Sequence, residues 1–115
     1  MAKTIVGTIN DFYVGETVEI TVLCKKDAVA QDITGDTVTL ILKDNKSDTD
    51  ASAILDVDAD VATYGSSGIA YWNLTPAQTD IDIGTYYIDI TWYDGTKEHI
   101  VYDGSVKVKE RVSDV

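Results

Sequence analysis

Residues 84–93, Gly-Thr-Tyr-Tyr-Ile-Asp-Ile-Thr-Trp-Tyr, constrain this chain more than any other stretch. Every second position (Tyr86, Ile88, Ile90, Trp92) is large and apolar, while Tyr87, Asp89, Thr91 and Tyr93 fill the positions between. Successive side chains of a strand point to opposite faces, so this period of two predicts a strand with one buried face and one mixed face. Asp94-Gly95 follows at once and predicts a tight primed turn into a last strand from about Lys97. On that strand Ile100, Tyr102, Val106 and Val108 share the inward parity, and Asp103-Gly104 marks the expected place of a bulge or break. The opposite parity puts His99, Val101 and Lys107 outward.

The same alternation recurs upstream. Val18, Ile20, Val22 and Cys24 form one face of a predicted strand, and Val38, Leu40 and Leu42 one face of another after the turn Thr34-Gly35-Asp36. Further strands are expected at residues 4–9, 53–58 and 68–74, the last with Ala70, Trp72 and Leu74 on one face. Thr75, Pro76 and Gln78 have the cap, first-turn proline and reach-back glutamine of a capping box, so one helical turn is expected near residues 75–78. Short strands at this spacing, without long helical patterns, predict an all-β antiparallel sandwich of about seven strands, one domain over residues 1–115.

Charge and cysteine content narrow the function classes. A net charge of −11 opposes binding to nucleic acid or to anionic membranes. The N-terminus has no signal-peptide apolar run, and no stretch approaches the roughly 20 apolar residues that span a bilayer. Cys24 is the only cysteine, so neither an internal disulfide nor a cysteine-built metal site is expected.

Two resemblances go further. Asp82-x-Gly84-x-Tyr86 before a strand resembles the corner leading into strand F of immunoglobulin-like sandwiches, where a tyrosine hydroxyl bonds back to nearby backbone. The other reading is a plain turn before an aromatic strand. The resemblance implies Tyr86 as the corner tyrosine and an apolar Cys24–Ile88 contact where antibody domains carry a disulfide. More broadly, the segments GETVEITVLCKKD, DITGDTVTLILKD and GIAYWNLTPAQTDIDIGTYYIDITWYDGTKEHIVYDGSVKVKERVSD are similar to small immunoglobulin-like domains of tailed-phage virion proteins, such as the N-terminal domain of baseplate upper proteins. Leu74, Thr75, Pro76, Gly84, Thr85, Tyr86, Tyr87, Asp89, Gly104, Val106 and Val108 carry the likeness. It implies a non-enzymatic virion structural protein, assembled in the host bacterial cytoplasm. Such a protein would be a baseplate, tail or fibre connector or a decoration, in contact with other virion proteins or with itself as a homo-oligomer.

The residues themselves suggest no catalytic or cofactor site. His99 is the sole histidine and is expected in solvent, without a partner for nucleophilic catalysis. The acidic run Asp44, Asp48, Asp50, Asp56, Asp58 and Asp60 invites calcium, yet Val61 stands where an EF-hand needs glycine, and a solvated edge strand explains the run as well. No metal is therefore assigned. The outward face of Ile41, Tyr87, Thr91, Tyr93 and Val101, with Thr39 beside it, is the candidate protein-contact face. The alternative function is a small carbohydrate-binding or adhesive module. The inward parity of Trp72 and Trp92 counts against it, because it removes the flat exposed platform a sugar needs.

Overall fold

The computed structural model describes residues 3–4, 9, 11–26, 29–45 and 53–110. These form strands β1 (Lys3–Thr4), β2 (Phe12–Tyr13), β3 (Val18–Leu23), β4 (Lys25–Lys26), β5 (Val29–Ala30), β6 (Thr37–Lys43), β7 (Leu55–Asp58), β8 (Ile69–Leu74), β9 (Gly84–Tyr93) and β10 (Glu98–Lys109). A 3₁₀ turn at Gly65–Ser67 and the helical turn α1 (Pro76–Thr79) complete them. One layer is the sheet β2-β10-β9-β6-β7, antiparallel except where β2 runs parallel to β10. The other layer is β3 paired with β8, together with the small sheet β1-β4-β5. Two such layers over one core make an immunoglobulin-like sandwich. The strand expected at 4–9 falls largely outside the described residues.

The alternation read from the sequence fills the interior. Ile20, Val22 and Cys24 of the small layer, with Ala70, Trp72 and Leu74, meet Val38, Leu40, Leu42, Tyr86, Ile88, Ile90 and Trp92 of the large one. Cys24 and Ile88 share this core. Removing a Leu or Ile side chain from water contributes about 1.5–3 kcal/mol, so this shared interior dominates the stability of the fold. Both indoles lie in it, Trp72 2% and Trp92 1% exposed, and neither buries its N–H without a partner. Trp72 Nε1 donates to the Val57 carbonyl at 2.9 Å, joining β8 of one layer to β7 of the other, and Trp92 Nε1 donates to Asp36 Oδ2 at 2.9 Å.

Local signals around α1 act as expected. Thr75 and Gln78 form the capping box, and the buried Thr79 hydroxyl donates to the Glu16 carbonyl at 2.6 Å, pinning the helical turn to the β2–β3 connection. The chain then reaches the corner, where the buried Tyr86 hydroxyl donates to the Asp82 carbonyl at 2.5 Å.

Three expectations about the β9–β10 hairpin are corrected. The turn is centred on Gly95-Thr96 rather than Asp94-Gly95: Asp94 N–H donates to the Lys97 carbonyl, and Tyr93 pairs with Glu98. The side chain of Asp94 decides this, since Oδ1 accepts from both Thr96 N–H and Lys97 N–H, while Gly95 takes the positive φ of 92° that the turn demands. Next, the irregularity falls at Val101, where the register jumps between Ile100 and Tyr102, rather than at Asp103-Gly104. One extra residue reverses parity on one side of a bulge. His99 and Val101 therefore point inward, 7% and 6% exposed, while Ile100 stands outward at 54%.

Replacing Tyr86 by Phe should remove the corner hydrogen bond and strand the Asp82 carbonyl. We expect a loss of about 1 kcal/mol, read as a fall in melting temperature of roughly 4–8 °C. An unchanged melting temperature would remove the corner from the account of stability.

Candidate functional site: the outer face of the large sheet

Three central strands build this face, and their register sets its rows. Thr37, Tyr93 and Glu98 lie side by side, followed by Thr39, Thr91 and Ile100, then Ile41, Asp89 and Asp103, then Lys43, Tyr87 and Ser105. Tyr93, Ile100 and Tyr87 are its exposed large side chains at 46%, 54% and 36%. Carboxylates rim it: Asp56 and Asp58 of the edge strand β7 are exposed, and Asp58 Oδ1 accepts from the Thr39 hydroxyl at 2.7 Å. Of the five residues expected here, Tyr87, Thr91 and Tyr93 take their places. Val101 does not, because the bulge turns it into the core and presents Ile100 instead. Ile41 keeps the outward parity but is only 8% exposed. It lines a recess of about 220 Å³ together with Lys43, Tyr87, Ile88, Asp89, Ile100 and Asp103.

A second recess, about 440 Å³, opens beside the β9–β10 turn among Lys26, Gln31, Asp32, Asp36, Trp92, Asp94, Thr96 and Lys97. His99, expected in solvent, lies beneath it. Its Nε2 is 3.1 Å from Asp94 Oδ2, and its ring packs on Trp92 with centroids 5.3 Å apart. Lys26 Nζ reaches the same carboxylate oxygen at 3.2 Å and sits 5.1 Å from the Trp92 ring centroid. The Lys97 amide, then His99, the Thr96 amide and Lys26 hold the Asp94 carboxyl well below the usual carboxylate range. This network fastens the hairpin, and it leaves His99 bonded to a carboxylate rather than to a nucleophile. The Cys24 thiol is fully buried and pushed up to about 12, chiefly by desolvation and secondly by Asp36, so it is unreactive.

The acidic stretch resolves into local bonding. Asp60 accepts from the amides of Ala62 and Thr63 and from the Thr63 hydroxyl, and these bonds, that hydroxyl's first, lower its carboxyl. Asp48 and Asp50 lie outside the described residues. Among the described residues no three His, Cys, Asp or Glu side chains converge to hold a metal ion, and no helix is long and apolar enough to cross a membrane.

No protein-family model and no curated protein matches the sequence significantly. Among solved structures, the fold is similar to part of the endo-β-1,4-mannanase from Thermotoga petrophila, with a TM-score of 0.59 and 12% identity. The match covers 96% of this chain and 20% of that enzyme's chain. At that identity the likeness is one of fold.

Asp94, Asp60 and Asp32 all have carboxyls lowered by hydrogen bonds made in the folded state. A carboxyl lowered on folding adds stability above its unfolded pKa of about 4, and that stability fades as pH falls below it. The melting temperature should therefore hold near neutrality and drop below about pH 4. Asp94→Asn should lower it at pH 7 and flatten the acid decline. An Asp94→Asn variant with the wild-type pH profile would contradict this assignment.

Proposed function

We propose that the chain is a non-enzymatic structural module of a tailed-phage particle, docking to another virion protein through the outer face of its large sheet. The observation that supports this most is the exposure of Ile100, Tyr93 and Tyr87 on the middle strands of one sheet, within an acidic rim. Large apolar and aromatic side chains ringed by charge have the composition of an interface centre, where water is excluded on docking. The virion setting comes from the Leu74-Thr75-Pro76, Gly84-Thr85-Tyr86-Tyr87 and Val106-x-Val108 pattern. Its scaffold roles are visible in the capping box, the tyrosine corner and the buried Val106 and Val108.

Charge selects the partner. Across the exposed face, Asp56, Asp58, Glu98 and Asp103 confront a net charge of −11 on any second copy, so a partner with a basic surface fits better than self-association. Carbohydrate binding is the weaker reading, since both indoles are used inside the core.

Ile100→Glu places a charge at the most exposed apolar position of the face. It should abolish incorporation into purified particles, measured by mass spectrometry or immunogold labelling, and leave the melting temperature within a few degrees of wild type. Incorporation at wild-type levels would overturn this reading.

A further inference from the structure

We infer that β7, one edge of the large sheet, takes up an extended strand of the docking partner with basic side chains at alternate positions, an inference that rests on reading the adjoining face as a protein contact. The phase of the ladder decides which groups β7 offers. Ala59 N–H donates to the Val38 carbonyl at 2.7 Å, so Val57 forms a hydrogen-bonded pair with Leu40. Asp56 and Asp58, opposite Ile41 and Thr39, therefore turn their N–H and C=O groups away from β6. β7 ends the strand order, and no described residue takes up those backbone groups. The other edge of the same sheet is closed: Tyr13 N–H donates to Glu16 Oε1 and the Tyr13 carbonyl accepts from Glu16 N–H, both at 3.1 Å. β7 is also held in place, because the Val57 carbonyl accepts from the buried Trp72 indole of the other layer at 2.9 Å, and a strand already ordered loses little freedom on binding.

The side chains specify the incoming strand. Asp56 and Asp58 are exposed, and Asp58 is joined to the contact face through the Thr39 hydroxyl. Antiparallel pairing with the β7 of a second copy would set aspartates against aspartates, and like charges across a pair are destabilising. A Lys or Arg opposite each aspartate reverses the sign, and the net charge of −11 adds attraction at longer range. On the inner side of β7, Leu55 and Val57 pack against the core yet are only half-buried, and Ile54 is 38% exposed. An apolar residue opposite Val57 covers that margin. The pattern that fits is thus basic, apolar, basic, with main-chain bonds supplying affinity and the alternate side chains supplying selectivity.

The test titrates the intact protein with the peptide acetyl-Thr-Lys-Val-Lys-Thr-amide, following backbone amide resonances. The control is the same peptide N-methylated at both lysine amides, which keeps its charge and removes the donors that would meet the Asp56 and Asp58 carbonyls. Saturable shifts should centre on residues 55–58, with slowed hydrogen exchange at the Asp56 and Asp58 amides. The methylated peptide should bind at least about tenfold more weakly, as the loss of two backbone hydrogen bonds requires, and added salt should weaken both. Equal binding by the two peptides, or shifts scattered over other acidic segments, would overturn strand addition. Asp56→Pro removes an outward donor at a position where an edge strand tolerates proline; it should keep a melting temperature within a few degrees of wild type and lose the peptide. If that variant folds poorly, the two peptides on the wild-type protein decide alone. If Asp56→Pro enters particles normally while Ile100→Glu does not, the contact face stands and strand addition falls. A dimer that Asp56→Pro dissolves would assign the edge to a second copy and overturn the choice of a basic partner.

Discussion

A strand alternates its side chains between two faces, so one added residue exchanges inside for outside over part of its length. In β10 that residue is Val101, and much of the molecule's surface character follows from it. With the bulge, Val106 and Val108 reach the core from one end of the strand while His99 and Val101 reach it from the other. Ile100 is left outside, and the recess beside it exists because the bulge lengthens the step from Ile100 to Asp103. Bulges are built features in sheets, often re-aiming a side chain next to a working site.

The inward turn of His99 has its own consequence. A histidine set directly across from Trp92 in the ladder must satisfy its ring nitrogens near a sandwich end, and Asp94 supplies a partner. The same carboxylate takes two turn amides and Lys26, so the hairpin, the indole and the last strand form one unit. At the other end of β9, the Tyr86 hydroxyl and the Thr79 hydroxyl tie the corner and helical turn to backbone. The strand carrying the exposed tyrosines is thus held at both ends, which gives a face built on it the rigidity a docking surface needs.

What could be read in advance was whatever obeys a local rule. Alternation placed Trp72, Trp92, Ile88 and Ile90 inside, the Thr75-Pro76-Gln78 pattern gave the capping box, and Asp-x-Gly-x-Tyr gave the corner. The failures share a cause. Gly104 offered a more conventional bulge residue than Val101, and Asp94-Gly95 a more conventional turn centre than Gly95-Thr96; side-chain bonding and packing across the whole hairpin chose otherwise. Once the bulge moved, Val101 left the candidate face and Ile100 entered it. The recess could not be anticipated at all, because Asp103 meets Asp89 only through that altered register. The proposed virion setting likewise has no local physical signature, since most residues carrying the likeness, Thr75, Tyr86, Val106 and Val108 among them, serve the scaffold.

The inside-outside exchange at Val101 is open to a direct chemical measurement. Cys24 is buried with its thiol pushed up to about 12, so the native protein should be silent towards a maleimide near neutral pH. A cysteine introduced as Ile100→Cys should label at the rate of an exposed thiol, whereas one introduced as Val101→Cys should label only on unfolding. Fast labelling at 101 with protection at 100 would contradict the register, and with it the face built upon it.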